Sequence, residues 1–218
     1  MPQLERWGLQ IIKQVNIKGS NMSTNSAKMT QTKSVAFIGI SVALLAVSAW
    51  FTIPIGPVPV TLQVLVYIFL IMALPKKEAI AAIALYVAIG TAGLPVFSSM
   101  RGGISVVAGP TGGFLWGAIL AAVAAVLVIS LLQKFTKAKS GNAQTANLLP
   151  DTWVYFVASF VFLAVLYLSG WAQLMYVAHM DAASAFAAGV APFVLIDSVK
   201  IIAAVFVATG FKKAFKGK

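Results

Sequence analysis

At 218 residues the chain is long enough for one or two domains. With 60% hydrophobic and 10% charged residues and a mean hydropathy of +0.93, it is not an ordinary soluble domain, which carries about 25% charged residues because its surface faces water. The net charge of +11 lies between apolar runs instead of in a patch interleaved with aromatics, so it reads as membrane orientation and excludes nucleic acid as the partner.

Residues 1–33 are polar and rich in Asn, Ser, Thr and Lys, with no apolar run followed by a cleavage site, so they do not read as a signal peptide. Leu4, Trp7, Ile11, Ile12 and Val15 fall at helical spacing, which fits a short surface-lying helix. Met22 and Met29 fit an over-long start equally well. Beyond this cytoplasmic tail, residues 34–215 form one expected domain, an all-α bundle of six transmembrane helices lying in the lipid bilayer of the cell membrane.

A span needs about 20 mostly apolar residues, because a rise of 1.5 Å per residue must cover a hydrocarbon core of roughly 30 Å. That ruler predicts spans at Ser34–Ile53, Val58–Leu74, Ala79–Phe97, Phe114–Leu132 and Thr152–Ala178. The run 182–210 is too long for one upright helix. Pro192 suits a first helical turn, which places a sixth span at Pro192–Gly210 and an interfacial or re-entrant approach at Ala182–Val190. Fourteen of the sixteen basic residues then fall on one side: five in the tail, Lys76 and Lys77, Lys134, Lys137 and Lys139, and Lys212, Lys213, Lys216 and Lys218. Only Arg101 falls on the other, and Lys200 lies inside a span. Cytoplasmic segments are enriched in Lys and Arg, so both termini are expected in the cytoplasm. Trp50, Trp116, Trp153 and Trp171 lie near span ends, where aromatic belts anchor helices.

Four features exceed generic membrane packing. The first is the turn Ile53-Pro-Ile-Gly-Pro-Val-Pro-Val-Thr-Leu-Gln63, whose three prolines make a stiff, extended connector that can hold Thr61 and Gln63 at the mouth of the next span. A rigid turn without a ligand role is the plainer reading. The second is the long external segment 93–113, rich in glycine, with Arg101 at its centre beside Gly102 and Gly103. Such a backbone can approach a ligand closely and act as a lid, or simply be flexible. The third is Asp197 with Lys200, at i, i+3 on one face of the sixth span, about 8 Å and 12 Å below its outer end. Ionisable groups inside a span are costly and pair with one another; they mark either a functional site or an ion pair locking two helices. The fourth is a small-residue stripe, Ala36, Gly39, Ala43 and Ala46, which lets another helix approach closely, from this chain or another subunit.

These motifs together resemble a known family. Pro57-Val-Pro-Val-Thr-Leu-Gln63, Gly93-Leu-Pro-Val-Phe97, Gly109-Pro-Thr-Gly-Gly-Phe114 and Asp197-x-x-Lys200 occur in that order, and the chain from about Ser34 to Phe215 is similar to the BioY family. That family comprises the biotin-specific S components of energy-coupling factor transporters. The resemblance implies a six-helix protein that captures biotin near the external face. It implies a T component and two ABC-type ATPases as partners. It also implies that Ala36, Gly39 and Ala43 meet the T component. Biotin carries a ureido group, an apolar thioether ring and a carboxylate. Asp197 can accept from the ureido N–H groups, and Lys200 or Arg101 can meet the carboxylate or the ureido oxygen. Thr61, Gln63, Gly102, Gly103 and Phe114 complete the expected biotin site.

Competing classes are weaker. The chain has no cysteine and one histidine, His179, so Cys-based and multi-histidine metal sites are excluded, and neither a metal nor a cofactor is expected. It carries no G-x-S-x-G or H-E-x-x-H motif for an intramembrane enzyme and no Walker motif for hydrolysing ATP, so any pumping must draw energy from a partner. A self-sufficient secondary transporter would use intramembrane Asp and Lys, but such proteins often show inverted repeats, and no half-to-half repeat is evident.

Overall fold

The computed structural model describes residues 31–139 and 152–216. The surface helix expected over Leu4–Val15 lies outside them. In chain order the elements are α1 (Gln31–Trp50), β1 (Thr52–Ile53), β2 (Val60–Thr61), α2 (Gln63–Ala73), α3 (Lys76–Thr91), a 3-10 turn (Ser98–Met100), α4 (Ile104–Ala108), α5 (Gly112–Lys139), α6 (Thr152–Ala178), α7 (Ala182–Gly189) and α8 (Ala191–Lys216). The chain divides into two units, 1–39 and 40–218. In the first, Ala36 and Gly39 are exposed.

Among the described residues, four segments are long and apolar enough to cross a membrane: 31–50, 112–135, 152–178 and, taking α7 with the start of α8, 182–211. The expected first, fourth, fifth and sixth spans correspond to these. The second and third differ. Helix α2 has 11 residues, about 17 Å, because the first residues of the expected span enter a strand instead. Helix α3 begins before Ala79, at Lys76, and stops at Thr91, well short of Phe97. Between α2 and α3, Leu74 precedes Pro75 and is extended, as the residue before proline prefers, which separates the two helices.

The proline connector is a small antiparallel hairpin with Thr52 opposite Thr61 and Ile53 opposite Val60. At the end of α3, Gly93 takes a φ of +115° and its N–H returns to Gly90 O at 3.1 Å. Gly103, with φ +97°, donates to the same carbonyl at 2.7 Å. Only glycine tolerates these conformations cheaply, so the segment 93–103 folds back on the tip of α3. Phe97 seals that fold: it is fully buried, edge-on to Tyr86 at 5.6 Å, in space that the missing side chain of Gly90 leaves open.

Helices α5 and α6 pack antiparallel. At the hairpin end of the bundle Gly113 and Gly117 face Ser169, and Gly170 faces the ring of Phe114. Farther along, Ala118, Ala121, Ala122, Ala125 and Ala158 are buried. Small residues of this kind permit close backbone approach where no water drives helices together. Three expected belt tryptophans also tie neighbouring segments: Trp50 Nε1 donates to Pro95 O at 2.9 Å, Trp116 Nε1 to Gln173 Oε1 at 2.6 Å, and Trp171 Nε1 to Ala182 O at 3.0 Å.

The expected interfacial approach is a two-turn helix, α7. Asp181 caps it by accepting from the backbone N–H groups of Ala183 and Ser184 at 3.0 Å each. Hydrogen bonding from Ser184, then from Ala183, holds the Asp181 carboxyl below the usual carboxylate range.

Candidate ligand-binding site

The hairpin end of the bundle is hollow. A cavity bounded by β2, α2, α5, α6, α7 and α8 contains about 690 Å³ of space not filled by protein atoms, part of it open to solvent. Ligand sites are typically clefts of about 300–1,000 Å³, mostly apolar with a few convergent polar groups. This one has that make-up: Val58, Phe114, Leu115, Leu166 and Phe193 face Thr61, Gln63, Tyr167, Asp197 and Lys200.

The polar wall is one connected network. Asp197 and Lys200, 2% and 8% exposed, form an ion pair with Lys200 Nζ 2.6 Å from Asp197 Oδ1. Their i, i+3 spacing on α8 brings both to the same face. The second Asp197 oxygen accepts from the Tyr167 hydroxyl on α6 at 2.7 Å. Lys200 Nζ also donates to the Thr61 carbonyl at 2.7 Å, which joins α8 to the hairpin. From Thr61 the network passes to Gln63, whose Nε2 donates to Tyr86 at 2.8 Å and Tyr67 at 3.2 Å, and Tyr86 donates to Val96 O at 3.0 Å. No buried side-chain polar atom among the described residues lacks a partner. A buried ion pair costs desolvation that only good geometry and added hydrogen bonds offset, and here Tyr167 and the Thr61 carbonyl supply those bonds.

Of the residues expected at the site, the structure brings Thr61, Gln63, Phe114, Asp197 and Lys200 to the cavity wall. Arg101, Gly102 and Gly103 are not on that wall. Arg101 is exposed and its Nε donates to Ser98 O at 3.3 Å. Gly102 packs against the backbone of Leu94, and Gly103 is bonded to α3. The physical reason is the fold-back of 93–103, which uses its glycines for backbone geometry and lets only Ser98 of that turn reach the cavity. The small stripe of α1 divides: Ala36, Gly39 and Ala43 are exposed, whereas Ala46 is buried.

Sequence reasoning missed Tyr167, Tyr67 and Tyr86. Tyr67 stands four residues after Gln63, which puts the two on one helix face and could have been read from spacing. Tyr167 sits in an apolar run where an aromatic residue carries no signal of its own. Its partner, Asp197, is 30 residues away in the chain.

Fold and cavity thus define a helical membrane protein with a ligand-sized, mixed polar and apolar pocket near one end of its bundle. Residues 21–217 match the model of the BioY family, and the chain belongs to that family. It is 38% identical over 176 residues to a biotin transporter of Thermotoga maritima, covering 80% of this chain and 93% of the relative. It is 34% identical to a probable biotin transporter of Pyrococcus horikoshii, covering 81% and 94%. A crystal structure of the S-component for biotin from an ECF-type ABC transporter shares its fold, with a TM-score of 0.68, 20% identity and coverage of 84% and 93%.

Proposed function

We propose that this chain captures biotin for uptake across the cell membrane as the substrate-specific subunit of an energy-coupling factor transporter. In this reading it crosses the membrane six times with both termini in the cytoplasm, and a T component and two ABC-type ATPases supply the energy. The observation that carries the proposal is the pairing of a buried carboxylate–ammonium–hydroxyl cluster with an apolar wall in a cavity of ligand size. Family membership and the biotin transporters among its relatives support it.

Biotin's chemistry fits the two walls. Asp197 and the Tyr167 oxygen have lone pairs left for ureido N–H groups. Lys200 has used two of its three N–H donors within the protein and keeps one for the ureido oxygen or the carboxylate. Thr61 and Gln63 hold the polar wall in register, and Phe114 covers the thioether ring. Arg101, on the turn held by Gly102 and Gly103, is the alternative cation for the carboxylate.

The proposed topology places Arg101 outside and Lys76, Lys77 and Lys134 inside, and all four are exposed. Lys76 Nζ donates to Ser130 of α5 at 2.8 Å, which sets the α2–α3 turn beside the lysine-bearing end of α5. The exposed face of Ala36, Gly39 and Ala43 is the proposed contact with the T component.

Equilibrium dialysis of the purified chain with radiolabelled biotin tests the reading. Stoichiometric retention that excess thiamine and riboflavin do not displace is expected, and no retention at micromolar biotin overturns it. Gly39→Trp or Ala43→Trp should abolish assembly with the T component and uptake while leaving retention intact. If those variants assemble normally, the proposed contact face is wrong.

A further inference from the structure

The corner between α4 and α5 is held by a residue that belongs to neither. Gln173, half-buried on α6, gives both of its amide hydrogens to this corner: Nε2 donates to Val107 O at 2.8 Å and to Gly109 O at 2.7 Å. Its Oε1 accepts from the Trp116 indole of α5 at 2.6 Å. The bonded carbonyls belong to the C-terminal end of α4, where a helix leaves its carbonyls without intrahelical partners. Gly109 O also accepts from the Gly112 N–H at 3.0 Å, so Gln173 reinforces a turn that the backbone itself begins.

A second observation converges on the same spot. A side chain at Gly112 would collide with the Val107 carbonyl, and its β-carbon would stand 2.6 Å from Gln173 Nε2. The corner is therefore shaped so that α6 reaches its backbone directly. The carbonyls of 107 and 109 lie between Val106 and Thr111 in the chain, and both of those residues line the cavity. Gln173 itself does not.

We propose that Gln173 is a positioning residue for ligand capture: from outside the cavity it fixes the α4–α5 corner as a preformed wall, and so sets how long a ligand stays. The proposal rests on the cavity being the ligand site, but not on which ligand fills it. A wall held in place before binding spares the ligand the entropy of ordering it.

The absence of cysteine from the chain makes the test clean. Val106→Cys at the cavity and Ser159→Cys, buried at the far end of α6, are each combined with natural Gln173, with Gln173→Leu and with Gln173→Glu. The Glu variant keeps the length and the acceptor for Trp116 but loses both donors. In full-length chain in lipid nanodiscs, the reaction rate with a charged methanethiosulfonate is measured, along with the dissociation rate of radiolabelled biotin from the same chain without the added thiol. Both Gln173 variants should speed reaction at Val106→Cys and biotin dissociation by about tenfold, with the Ser159→Cys rate unchanged. Trp116→Phe, which removes one of the three bonds, should fall between. Unchanged rates at Val106→Cys overturn the proposal, and so does an equal acceleration at Ser159→Cys, which marks general loosening. If the natural chain retains no biotin, the functional reading fails while the thiol rates still decide the role of Gln173.

Discussion

The two ends of the α2–α5–α6 bundle are built from the same helices and solve opposite problems. At the cavity end the helices carry Gln63, Tyr67, Phe114 and Tyr167 and stand around a hollow with a continuous polar wall. At the other end the same helices carry Ile68, Ile71, Met72, Ala125, Ile129, Ala158 and Phe162 around a small residual gap. The one polar side chain beside that gap, Ser159, donates to its own backbone at Tyr155 O, 2.7 Å away. The comparison teaches where this protein spends polar groups in an apolar chain. At the cavity end they are bonded across elements and hold a hollow open, whereas at the far end the one beside the gap is satisfied within a single helix turn and packing does the rest.

The strongest way to break this contrast is to remove one half of the ion pair. Lys200→Met leaves Asp197 buried without its cation and should cost about 3–5 kcal/mol of stability, read as a large fall in thermal midpoint. The double variant Asp197→Asn, Lys200→Met should recover most of that stability yet bind biotin about 10- to 150-fold more weakly, because a charge-assisted hydrogen bond is gone. Near-normal binding by the double variant would reduce the pair to a structural lock. Next in size, Tyr167→Phe should weaken binding roughly fivefold to tenfold by dialysis, since Asp197 loses one donor while the pair survives. Smallest of all, Ser159→Ala should shift stability by about 0.5 kcal/mol, because its hydroxyl only bonds back to the Tyr155 carbonyl of its own helix. A loss of biotin binding on Ser159→Ala as large as that on Tyr167→Phe would erase the distinction between the two ends.

Much of the cavity end was legible in sequence. Asp197 and Lys200 stand out because charges in a span must pair, and their spacing fixes the helix face they share. Thr61 and Gln63 follow from the proline connector that precedes them. The short α2 was not legible, since Val58 and Val60 are as apolar as helix residues and hydropathy does not separate strand from helix. Nor were the roles of Gly102 and Gly103, because a glycine's reason for being there is a dihedral angle or a close approach, and neither is written in its neighbours. The apolar lining of the cavity was equally hidden, since Leu115, Leu166 and Phe193 read as any other span residues.

The closed state of the polar wall carries a thermodynamic consequence. Both oxygens of Asp197, two hydrogens of Lys200 and both amide hydrogens of Gln63 are already engaged, so the spare capacity for an incoming ligand lies in the remaining lone pairs of Asp197 and Tyr167 and the third hydrogen of Lys200. Burial against Val58, Phe114, Leu115, Leu166 and Phe193 adds an apolar gain and leaves a negative heat-capacity change on binding. In calorimetric terms the polar cluster rewards matched donors and acceptors and penalises mismatched ones, while the hydrocarbon wall supplies the heat-capacity signature.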